Sequence, residues 1–142
     1  MGTSGVINFK VGKKNSKTGG QWHQSYMSYF HHTTGGGGTI GSGLNRVEKL
    51  EGIVQGCDFY CGFHNHKLSH ADTMVFRPNP HSKTIDEKVV HFITCGGYLG
   101  YNGSYAERGM MKPVKLGSPR IRLSGSTEDV HVSIWRTLKR DS

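Results

Sequence analysis

The chain has 142 residues, enough for one domain, and carries a formal net charge of +8 with 34% apolar and 20% charged residues. Its 21 glycines are about twice the usual share, yet with no G-X-Y period and only four prolines they exclude collagen-like and proline-rich disordered chains. The positive charge favours anionic partners without separating phosphate esters from nucleic acid or a membrane surface; because the basic residues are scattered, a solvated basic face is the plainer reading.

Residues 6–11 alternate apolar with polar and predict a strand. The polar stretch 13–21 predicts an exposed hairpin connection, and residues 22–32, rich in aromatics and free of Gly and Pro, a second strand ending in His31 and His32. A glycine run follows, Gly35-Gly36-Gly37-Gly38 with Gly41 and Gly43. Leu44, Val47, Leu50 and Val54 then recur at helical spacing, predicting an amphipathic helix of about three turns that stops at Gly56. Residues 57–61 read as a buried strand, followed by a turn holding Gly62, Phe63, His64, Asn65 and His66. Strands near residues 73–76, 89–94, 120–123 and 130–135 complete an α/β (α+β) chain, one domain over residues 1–142, with a mixed sheet that outweighs its one main helix.

The three cysteines, Cys57, Cys61 and Cys95, are an odd number. On a strand, Cys57 and Cys61 would stand about 13 Å apart, too far for a disulfide, so buried thiols are expected. No C-x-x-C zinc spacing is present. No apolar run reaches the ~18–20 residues of a membrane span, and Met1-Gly2-Thr3-Ser4-Gly5 lacks the regions of a signal peptide. A soluble, cytoplasmic protein with no membrane partner is the expectation.

Gly36-Gly37-Gly38-Thr39-Ile40-Gly41 satisfies G-x-G-x-x-G between a strand and a helix, with Asp58 downstream, as a dinucleotide site would require. Two features oppose that reading. The preceding strand is not the Val/Ile/Leu-rich kind that is buried on both faces, and Asp58 falls at the start of its strand. Histidine placement is more informative. His31-His32 and His64-Asn65-His66 each close a strand, and loops at carboxyl ends of neighbouring strands are where open α/β sheets build sites. An extended His-x-His places both rings on one side, suiting an imidazole-rich divalent metal site. The bland alternative is that all four are polar loop residues.

His31-His32-Thr33-Thr34-Gly35-Gly36-Gly37-Gly38, the helix around Leu44-Asn45-Arg46-Val47-Glu48-Lys49-Leu50, and Cys57-Asp58-Phe59-Tyr60-Cys61-Gly62-Phe63-His64-Asn65-His66-Lys67 together resemble the C-terminal half of a calcineurin-like metallophosphoesterase. The resemblance is to a branch with a His-His-Gly-rich loop found in phages and other microbes. It extends over residues 22–135 and includes Thr94-Cys95-Gly96-Gly97 and Gly103-Ser104-Tyr105-Ala106-Glu107. It implies half of an αββα sandwich and a hydrolase acting on phosphoesters. It also implies metal ligands at His31 (with His32 as second choice), His64 and His66, the last two matching the family's G-H-x-H. Phe63 between Gly62 and His64 is a departure from that motif.

The family's G-D and G-N-H-[DE] motifs do not occur in this sequence, and the one D-x-H, Asp129-Val130-His131, follows the histidine motifs where the family's precedes them, so every Asp lies in the wrong motif context. The complete family site holds two divalent ions, Mn, Zn or Fe; without a bridging carboxylate at most one is expected here, and no catalytic residue is assigned. The expected function is therefore a metal-dependent phosphoesterase-like domain that needs an N-terminal half, on another chain or a truncated part of its own, with a homo-oligomer as a further possible partner. The alternative is a non-catalytic module contacting nucleic acid or a protein through its basic surface. His23, His70, His81, His91 and His131 read as surface or strand residues, with His91 and Cys95 nearest the site. Trp22 and Trp135 read as core, and Tyr98, Tyr101, Tyr105 and Arg108 as packing or, secondarily, a substrate groove.

Overall fold

The computed structural model describes residues 3–14, 21–34, 38–98 and 100–136; within these, the side chains of residues 13, 14, 21, 22, 135 and 136 are outside the description. The glycine run at 35–37, the tip of the first hairpin and the Trp22 and Trp135 side chains thus lie outside the described residues.

The protein is a mixed α/β structure. A long antiparallel hairpin, β1 (Ser4–Lys14) and β2 (Gln21–His32), leads into α1 (Ile40–Glu48) and a 3-10 turn at Lys49–Gly52, then β3 (Phe59–Phe63), β4 (Ser69–Asn79) and β5 (Thr84–Thr94). A four-residue helix, α2 (Tyr105–Arg108), precedes the final hairpin, β6 (Gly117–Leu123) and β7 (Val130–Arg136). Strands β1 to β5 form one sheet in the order β1-β2-β3-β5-β4. β2, β3 and β5 run parallel at its centre, and β1 and β4 flank them antiparallel. β6 and β7 make a separate two-stranded sheet.

Strand alternation sorts the core into two faces. Met27, Tyr29, Tyr60, Val90 and Phe92 turn to one side, where Val47 and Leu50 of the helical segment cover them. Tyr26, Phe59, Cys61 and Ile93 turn to the other, against Ile121, Leu123, Val130 and Val132 of the β6–β7 hairpin. The Tyr26 hydroxyl fastens this hairpin: it donates to the Ser124 carbonyl (2.6 Å) and the Thr127 carbonyl (3.0 Å) and accepts from the Asp129 N–H (3.0 Å).

The helix differs from the sequence expectation. It starts earlier, with Thr39 as N-cap accepting from the Ser42 N–H, and its α-helical part ends at Glu48. Gly41 and Gly43 disguise this start, because glycine is the weakest helix former after proline. Gly56 does sit at positive φ (89°), but beyond the helix end. β3 is also displaced, beginning at Phe59. Asp58 ahead of it is occupied as a clamp, its carboxylate accepting from the Met27 N–H at 2.7 Å and facing the Arg77 guanidinium at 3.7 Å. Burial raises the Asp58 pKa above its ordinary value, against the opposing pull of the Met27 N–H and Arg77. This carboxylate is committed within the sheet and is not at the end of a strand, where a ribose ligand belongs. Cys57 and Cys61 are buried free thiols. Among the described residues, no helix is long and apolar enough to cross a membrane.

Candidate metal centre

The parallel pairing of β2 with β3 brings two histidine clusters to one edge of the sheet. His31 is level with Gly62, and His32 with Phe63. Thr33, buried just beyond β2, donates from Oγ1 to the Phe63 carbonyl at 2.6 Å. On the other side of β3 the Cys95 N–H donates to the Gly62 carbonyl at 2.9 Å. The end of β3 is therefore gripped from both neighbours immediately before His64.

The segment 64–66 is not extended, contrary to the sequence expectation. His64 has φ 78° and His66 φ 54°, both left-handed, a conformation that non-glycine residues adopt at a cost. Residues 62 and 63, expected in the turn, complete β3. The chain turns tightly at His64, and the rings of His64 and His66 stand 6.1 Å apart between centroids, tilted at 41° to one another. His32 joins them: its ring lies edge-on to His64, 4.7 Å away with a 74° interplanar angle.

His31, the first choice from the family resemblance, points to the opposite face of β2. It shares that face with Tyr29, whose ring is 6.1 Å from its own, and its Nδ1 is buried without a hydrogen-bond partner. Successive residues of a strand face opposite sides, so His31 and His32 cannot both face His64. The three imidazoles brought together are thus His32, His64 and His66.

Rings sharing one tetrahedral zinc ion stand about 5 Å apart, from Zn–N bonds of ~2.0–2.1 Å. The 4.7 Å spacing matches this and the 6.1 Å spacing is about an ångström too wide. As they stand, no three His, Cys, Asp or Glu side chains among the described residues converge on a point that could hold a metal ion. Among the described residues the three imidazoles come without a carboxylate that could bridge two ions.

Three residues to which the sequence assigns no role shape this corner. Asn65 tucks under α1, its buried Nδ2 without a hydrogen-bond partner and pressed against Gly43. Gly97 lies against the His66 ring. Lys67 donates to the Thr39 carbonyl at the start of α1 (3.4 Å), and its own carbonyl accepts from the Thr94 hydroxyl. Arg46 donates to the Thr34 carbonyl, so both cationic side chains reach the segment between β2 and α1.

The remaining histidines lie elsewhere. His23, His81 and His131 are exposed. His91 is level with Phe59 at the start of β3, three residues short of the end of β5 at Thr94. It is 7% exposed and pairs with His70 through a 3.0 Å Nε2···Nδ1 hydrogen bond. Burial lowers the pKa of both rings. Tyr98 and Tyr105, expected to pack, are exposed. Comparison with protein-family models, with curated proteins and with solved structures found no match to this chain.

Proposed function

We propose that this chain is the histidine-bearing half of a metal-dependent phosphoester hydrolase, holding one divalent ion through His32, His64 and His66 and needing carboxylates from elsewhere for turnover. The observation that carries the reading is the meeting of His32 with His64 and His66 at the carboxyl ends of β2 and β3, on a backbone that is left-handed at both members of the His-x-His. Strained non-glycine residues concentrate at functional sites. Zn, Mn and Fe are the ions of this kind of centre, and imidazole ligation favours Zn or Fe over Mn when carboxylates are absent.

When bound, such an ion would supply a Lewis acid for a phosphoryl oxygen. The chain's own contribution is to hold that ion at the end of the sheet, with Lys67 and Arg46 adding positive potential for an anionic substrate. A two-ion centre also needs a bridging carboxylate to hold the ions ~3.5–4 Å apart. The Asp58 carboxylate, the acid nearest in sequence to His64, is spent on Met27 and Arg77. The half-sandwich reading of the fold belongs to this proposal: a complementary half would supply the acids and a second sheet.

Elemental analysis of the purified chain after dialysis against Zn²⁺ or Mn²⁺ tests the reading. Up to one ion per chain is expected, lost in His64→Ala and His66→Ala, with no hydrolysis of bis(p-nitrophenyl) phosphate by the chain alone. Absence of metal uptake would favour a non-catalytic module contacting nucleic acid or protein. Robust turnover by the chain alone, abolished by the same substitutions, would refute the need for a second half.

A further inference from the structure

Nothing in the His64-Asn65-His66 segment itself explains why both of its histidines remain left-handed, since the favoured response to such strain is to relax into the right-handed or extended region. The explanation lies in what touches the segment from two directions. From α1, Gly43 faces Asn65 so closely that a Cβ there would come within 1.8 Å of Asn65 Nδ2 and 3.1 Å of its Cγ. From the segment after β5, Gly97 faces His66, where a Cβ would lie 3.0 Å from Nδ1 and 3.3 Å from the His66 Cβ.

Both glycines are themselves buried and held. Gly43 is in the second turn of a capped helix that packs on the sheet. Gly97 bridges to Leu116 ahead of β6. Asn65 gains no hydrogen bond from its amide nitrogen, so shape and not polarity seats it there.

We infer that Gly43 and Gly97 form a two-sided seat for this turn, with Asn65 as the peg, and that they are positioning residues for His64 and His66. The seat fixes the left-handed backbone at both histidines and so sets the direction of their rings toward His32. Its consequence for metal affinity rests on the metal-binding reading above; its consequence for ring placement does not.

The experiment uses the metal-free chain and Co²⁺ as a probe. In the wild type a nuclear Overhauser contact between the His32 and His64 rings is expected. Gly43→Ala and Asn65→Ala should each abolish it and weaken Co²⁺ binding, followed by its visible absorbance, at least tenfold. The urea midpoint should move little, since the clashing atom is the end of a side chain. Because both changes remove the same contact, the double variant should be no worse than either single one. Asn65→Ala adds no atom, so it decides the matter should Gly43→Ala fold poorly. An unchanged ring contact in Asn65→Ala would overturn the inference. If the wild type takes up no Co²⁺ while the ring contact is lost in the variants, the seat stands and the metal reading falls.

Discussion

Removing the hydroxyl of Tyr26 isolates the interaction that ties the C-terminal hairpin to the sheet. The ring is fully buried, and Tyr26→Phe keeps it in place among Phe59, Cys61 and Ile93. What disappears is one donor, shared between the Ser124 and Thr127 carbonyls, and one acceptor, used by the Asp129 N–H. Two net hydrogen bonds are worth about 1 kcal/mol each, and leaving a partly buried donor or acceptor unpaired adds about 1 kcal/mol or more. The expected loss is therefore about 2–4 kcal/mol, a large fraction of the 5–15 kcal/mol typical of a domain. Urea unfolding should show a lower midpoint at unchanged slope, and hydrogen exchange should quicken in residues 117–136 ahead of β2 and β3. A loss below about 0.5 kcal/mol, or exchange that quickens uniformly, would refute the view that this hydroxyl fastens the hairpin.

Stability should also depend on pH at both ends of the range. His70 and His91 have pKa values lowered by burial, so the unfolded chain takes up protons first as pH falls. Stability present above about pH 6.5 is thus lost as pH drops through the folded pKa values, and urea midpoints should fall between pH 7.5 and 5.5, less so in His91→Gln. Asp58, raised by burial, acts in the opposite sense, in the more acid range that starts from its ordinary 3.8. At the alkaline end burial raises Cys57 and Cys61, pushes Cys95 up to about 11 and Tyr60 up to about 12, so stability present below about pH 9 should be lost above it. For the same reason Cys57 and Cys61 should react with a thiol reagent at neutral pH only as fast as the chain opens, which comparison of native and urea-unfolded rates would check.

The strands were legible because their signals are local. The aromatic, breaker-free stretch before His31 predicts β2, and apolar alternation predicts β1, though both extend beyond the stretch that carries the pattern. The start of α1 was hidden because its cap, Thr39, follows a glycine run and because Gly41 and Gly43 lie in its first turns. Gly43 is tolerated there for a tertiary reason, contact with Asn65, that no helical periodicity can express. The displacement of β3 has a similar origin. Cys57 and Asp58 look like strand residues by composition, but Asp58 spends its side chain closing the gap to β2 at Met27.

The histidine site shows where sequence spacing stops being informative. A His-x-His was expected to aim both rings to one side because alternate residues of an extended chain do so. The rings do approach each other, but on left-handed backbone that invalidates the extended-chain argument. The doublet His31-His32 shows the reverse. Strand alternation was sufficient to say that only one member could face the His-x-His, yet not which, since that depends on which face of β2 meets the turn after β3. Parallel pairing of β2 with β3 fixes this. His32 is level with Phe63, on the face of Phe30, whose ring stacks on Phe63 at 6.2 Å, while His31 follows Tyr29 toward the helical side. Exchanging the roles of His31 and His32 would require a one-residue slip of β2, which would also turn Tyr26 away from the hairpin it fastens. The ligand choice and the hairpin anchor are therefore consequences of one register.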